Sequence, residues 1–106
     1  MLFRSGINSF AGANGSNSSG SNSVAIGNNA LSAGQASTAV GNNANSNGLS
    51  SVAVGDGARS AGTLATAVGA NANAFGSSSS AFGDNARALQ EEIGRASCRE
   101  RVYSSV

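Results

Sequence analysis

The sequence contains no histidine, lysine, proline or tryptophan and has one cysteine, and charged residues make up 10% of its 106 positions. Each shortage removes a class of function. Without histidine there is no imidazole for the common transition-metal sites or for a Ser-His-Asp relay. One cysteine rules out an internal disulfide, and Cys98 has no histidine to activate it as a nucleophile. The net charge is +1 and no basic stripe exists to displace counterions from phosphates, so no nucleic-acid partner is expected. No apolar run approaches the ~20 residues that span a bilayer as a helix, so no membrane insertion is expected of this chain. Its opening, Met1-Leu2-Phe3-Arg4, is too short for a secretory leader, which in an exported parent would lie upstream.

Catalytic and cofactor motifs are missing as well. The glycines are never followed by the Lys-Ser/Thr of a phosphate loop. Asp56 and Asp84 lie 28 residues apart at a position held elsewhere by Asn28, Asn42 and Ala70, which reads as turn formation and not as a calcium repeat. The expectation is therefore no enzyme, no cofactor and no metal. Large apolar side chains are scarce, so a conventional core cannot offset an ordering entropy of about 1–2 kcal/mol per residue. The chain is either disordered or folds through backbone ladders and stacked small residues.

What the sequence does have is a period. Glycine falls at Gly20, Gly27, Gly34, Gly41, Gly48, Gly55, Gly62, Gly69, Gly76 and Gly83, every seventh residue. Two further registers double that period to fourteen. Ala25, Ala39, Ala53, Ala67 and Ala81 precede alternate glycines by two, and Ala30, Ala44, Ala58, Ala72 and Ala86 follow the same glycines by three. Ile26, Val40, Val54, Val68 and Phe82 sit immediately before those glycines. The units read SVAIGNNALSAGQA, STAVGNNANSNGLS, SVAVGDGARSAGTL and ATAVGANANAFGSS, then a partial SSAFGDNARALQ. A degraded unit precedes them, in which Ser9-Phe10-Ala11 resembles Ser23-Val24-Ala25 but Gly12 shifts the spacing by one.

Each unit predicts two short strands and two turns, hence an all-β parallel solenoid with 14-residue coils. The first strand, Ser23 to Ile26 in one unit, sends Val24 and Ile26 to one side and Ser23 and Ala25 to the other. A weaker strand runs from Ala30 to Ala33. The expected turns lie at Gly27, Gly34, Gly41, Gly48, Gly55, Gly62, Gly69, Gly76 and Gly83, helped by Asn28-Asn29, Asn42-Asn43 and Asp56-Gly57. Helix is disfavoured by the glycine and asparagine content, and no leucine seam supports a coiled coil. The apolar set Val24, Ile26, Val40, Val52, Val54, Val68 and Phe82 is taken as the core of the repeat. The small ladder Ala25, Ala39, Ala53, Ala67 and Ala81 is taken as a candidate contact with other copies. Two medium apolar side chains per coil contribute about 1.5–3 kcal/mol each, too little for fourteen ordered residues, so homo-oligomerisation is expected. Arg59 and Arg87 share one register and one outer face, either as a ligand-facing stripe or as plain solubility charges.

These units resemble the YadA-like head repeat, or haemagglutinin-like repeat, of trimeric autotransporter adhesins. The shared pattern is Ser/Thr-x-Ala-Val/Ile-Gly, then Asn or Asp, then a later alanine and glycine; it recurs at Ser23, Ser37, Ser51 and Ala65, with Phe82 a conservative departure. The resemblance implies a left-handed parallel β-roll, three chains side by side, displayed at the bacterial cell surface on the extracellular side of the outer membrane. It implies attachment to host matrix, host cells or other bacteria, with stalk and anchor lying elsewhere in the parent protein. An ice- or polysaccharide-binding solenoid is the alternative, but it would need a regular hydroxyl row where the sequence has Val24, Thr38, Val52, Thr66 and Ser80. A disordered Gly/Ser/Asn linker is a third reading.

The resulting division is a degraded N-terminal coil or frayed end over 1–19, head repeats over 20–91, and a tail over 92–106. In the tail the register collapses and Arg95, Arg99, Glu100 and Arg101 crowd around Cys98. Its Ile93-to-Val102 string reads like translated sequencing adapter; the other reading is a short amphipathic helix from Arg87 to Arg101.

Overall fold

The computed structural model describes residues 3–4 and 6–88, where every regular element is a β-strand. In chain order these are β1 (Phe3–Arg4), β2 (Phe10–Gly12), β3 (Asn17–Ser18), β4 (Val24–Ile26), β5 (Leu31–Ser32), β6 (Thr38–Val40) and β7 (Asn45–Ser46). There follow β8 (Val52–Val54), β9 (Arg59–Ser60), β10 (Thr66–Val68), β11 (Asn73–Ala74), β12 (Ser80–Phe82) and β13 (Arg87–Ala88). Odd-numbered strands form a seven-stranded sheet and even-numbered strands a six-stranded one, each in unbroken sequence order and parallel throughout. The chain is thus a β-solenoid whose rungs repeat every fourteen residues. Ile26 stacks on Val40 and Val40 on Val54, and Leu31 stacks on Asn45 and Asn45 on Arg59.

The strands are shorter than the sequence pattern suggests, three residues and two where four and four were expected. The turns compensate by joining the ladder. Within a coil, Ala44 N–H donates to Gly41 O at 3.2 Å and closes the bend. Between coils, Gly41 N–H donates to Ile26 O at 2.8 Å, Asn43 N–H to Asn28 O at 2.9 Å and Ser50 N–H to Gln35 O at 2.8 Å. Backbone polar groups at the corners are thereby paired with the neighbouring coil, as burial demands.

The two glycine registers do different work. Gly41 has φ 131°, a conformation closed to ordinary side chains, and a Cβ there would lie 2.5 Å from Gly55 O. Gly34 shows no such φ; its constraint is space, because a Cβ would run into the Gly48 carbonyl of the next coil. Two further left-handed positions per coil are filled by residues such as Asn29, Asn43, Ala36, Ser50 and Leu64.

The interior reverses the sequence expectation. Ala25, Ala39, Ala53, Ala67 and Ala81 are fully buried, together with Ala30, Ala44, Ala58, Ala72 and a row of serines. The supposed core set of Val24, Ile26, Val40, Val52, Val54, Val68 and Phe82 points outward, half-buried or exposed. The alanine ladder is accordingly closed to any other copy of the chain. Alternation along a strand decides which residues share a side, but the width of the coil decides which side is inside. Two sheets joined by such short turns leave room for one layer of methyl and hydroxymethyl groups.

The buried serines satisfy one another. Ser37 Oγ donates to Gly34 O at 2.7 Å, which uses its only proton, so in the 2.6 Å contact with Ser32 it is Ser32 that donates. The same relay links Ser18, Ser23 and Gly20, and Ser46, Ser51 and Gly48. Where Ala65 replaces the second serine, Ser60 Oγ turns to the Ala65 carbonyl at 2.8 Å.

The N-terminal unit is also in register. Phe10 pairs with Val24, Ala11 with Ala25 and Gly12 with Ile26, so Gly12 occupies an outward strand position and causes no shift. Ala13 takes the usual glycine place at φ 93°. The ladder extends further back, with Phe3 paired to Asn17. The sequence features from Leu89 onward, Cys98 and the adapter-like string among them, lie outside the described residues.

Candidate functional site

With methyl and hydroxyl groups filling the inside, everything a partner could touch lies on two outward faces and two turn edges. The six-stranded sheet presents one row of Phe10, Val24, Thr38, Val52, Thr66 and Ser80, and a second of Gly12, Ile26, Val40, Val54, Val68 and Phe82. No charged residue occurs in either row. Phe10, Ile26 and Phe82 are 50%, 40% and 45% exposed, and the valines are half-covered by their neighbours above and below. An uncharged, β-branched strip running the length of the rod is the kind of surface that marks a protein–protein contact. Sequence reasoning found these residues and put them on the wrong side of the sheet.

The outward face of the seven-stranded sheet is polar. One row reads Asn17, Leu31, Asn45, Arg59, Asn73 and Arg87; the residues two further along include Asn47 and Phe75. Arg59 and Arg87 flank Asn73 on consecutive rungs, as their shared register requires, and both are exposed. The Arg59 guanidinium lies over the Phe75 ring, 5.5 Å from its centroid. That contact crosses from one coil to the next and was not read from the sequence, although the offset of sixteen, one period plus one alternation step, would have revealed it. Asn17 and Asn45 each hold Oδ1 against the sheet without a hydrogen-bond partner. Leu31, on the rung between them, has no side-chain donor to give, and each sealed oxygen costs about 1–3 kcal/mol.

The nine turn glycines sit at bends along the two edges. One edge carries the asparagine-rich corners, where Asn42 Nδ2 donates to Asp56 Oδ1 at 3.3 Å in full exposure. The other carries exposed Ile7, Leu49 and Leu64. Among the described residues no three His, Cys, Asp or Glu side chains come together, and no helix is long and apolar enough to cross a membrane.

A family model described as the YadA head domain repeat, in two copies, matches residues 14–30, 32–58 and 60–86. No curated protein matches the chain.

Proposed function

The chain belongs to the YadA head domain repeat family, and from that membership we propose that it forms the head of a trimeric surface adhesin, with the valine face of the six-stranded sheet turned towards two further copies. The family is one of surface-exposed autotransporter adhesins, which are structural and adhesive. In this reading the rod stands on the extracellular side of the outer membrane and attaches its bearer to host matrix, host cells or other bacteria. No catalytic residue is assigned.

One observation supports the trimer above the others: the bulkiest apolar side chains of the repeat lie outside the coil. Burying a valine or isoleucine contributes about 1.5–3 kcal/mol, and a lone chain forgoes part of that at every rung. Three chains packed through this face would recover it and cover an apolar strip that would otherwise invite non-specific association. Adhesion would then work by repetition, weak contacts on three equivalent outer faces summing to avidity without a deep pocket.

The test is sedimentation of the full chain beside Val40→Asp/Val54→Asp. Both positions are on the outward face, so the double variant leaves the alanine interior intact. A trimer for the parent chain and a monomer with retained strand signal for the variant are expected. A well-folded parent monomer at micromolar concentration removes the trimer.

A further inference from the structure

We propose that the outward face of the seven-stranded sheet binds a linear acidic polysaccharide, with Arg59 and Arg87 as the two cationic grips and Phe75 as the seat for a sugar ring. This deepens the adhesin reading and rests on it for the exposure of that face.

Arg59 and Arg87 each pair in register with Asn73, from opposite sides. Two strand spacings separate them, about 9.6 Å, close to the length of one disaccharide unit. A polymer lying along the rod axis would thus present its anionic groups in step with the rungs. The carboxylates of the described residues do not compete: Asp56 and Asp84 are on the turn edge, and Asp56 accepts a bond from Asn42. Both guanidinium groups are exposed, and a planar fork of N–H donors suits sulfate or carboxylate.

Phe75 is 39% exposed, on the face that carries Asn73 two residues before it. Arg59 covers one side of the ring, and the part left exposed among carboxamides offers an apolar surface to the C–H groups of a pyranose. Arg59 stacked over that ring loses less freedom when it grips an anion, because its guanidinium is already held. Asn47 and Asn73 extend the surface with groups that both donate to and accept from hydroxyls. Two arginines on this face, Arg59 and Arg87, are too few to track a nucleic acid.

The full chain is tested by calorimetry and by salt elution against heparin, uncharged dextran and poly-L-glutamate. Heparin should bind and dextran should not. Arg59→Gln/Arg87→Gln should weaken heparin binding at least tenfold and lower the eluting salt concentration, with an unchanged circular dichroism spectrum. Phe75→Ser should weaken heparin several-fold and leave any poly-L-glutamate binding untouched. Equal affinity for heparin and poly-L-glutamate, indifferent to Phe75→Ser, would overturn the proposal in favour of simple charge attraction to acidic protein. Absence of heparin binding by a chain that sediments as a folded trimer would overturn it too, and would leave the adhesin reading standing. A folded monomer would sink the trimer alone, and the heparin comparison would still decide this inference.

Discussion

At the scale of single residues, size outranks hydrophobicity in this fold. The interior positions hold alanine or serine with little variation, from Ala25 to Ala81 along one row. The neighbouring outward row ranges from Ser80 through Thr38 and Val52 to Phe10. A position that tolerates both serine and phenylalanine is a surface position. That contrast was present in the sequence, and it would have placed the valines outside had invariance of volume been weighed above apolarity. The left-handed corners give a direct test. Leu64 adopts φ 61°, where a bulky side chain is strained by about 1–2 kcal/mol and asparagine is tolerated. Its side chain is 58% exposed and packs little. Leu64→Asn should therefore stabilise the chain by about 1 kcal/mol, read as a higher thermal midpoint.

At the scale of the coil, the glycine spacing made the period, the two turns and the ladder register legible. What it concealed was the reason for each glycine. The register of Gly41 and Gly55 answers a torsional demand, and that of Gly34 and Gly48 answers a steric one. Both look alike in a sequence, because only the approach of the next coil separates them. A Cβ at Gly48 would strike backbone of the following coil, which cannot swing aside as a side chain does. Gly48→Ala should lower the unfolding midpoint by an amount equivalent to about 1–3 kcal/mol or more, as for overpacking elsewhere. Ala33→Ser, exposed beside Gly34, should leave it unchanged. The strand lengths were overestimated for a related reason: residues such as Ser23 and Ala30 flank the ladder strands and are buried by the closing of the corner.

At the scale of the molecule, the coil interior contributes little hydrophobic free energy, since methyl groups replace the isoleucines and leucines of an ordinary core. On the trimer proposal assembly supplies part of the stability, and the thermal midpoint of the chain should rise with protein concentration, as mass action requires when folding and association are coupled. Val40→Asp/Val54→Asp should abolish that dependence. A midpoint independent of concentration over a hundredfold range would mean that the backbone ladder suffices alone. The sequence expectation of self-association rests on the same shortage of apolar volume, and the burial of Ala25 to Ala81 moves the surface proposed for it to the valine face.

Because corners as well as strands bond to the coil above, the circumference of this solenoid is locked at fourteen residues. Length can therefore change only in whole windings: excising one complete unit, such as 37–50, would shorten the rod by a single step of about 4.8 Å and rejoin equivalent surfaces. An excision of any other size would throw every later corner out of alignment. Gain or loss of whole units would thus set the reach of the rod in fixed steps, with every remaining corner still bonded to its neighbour.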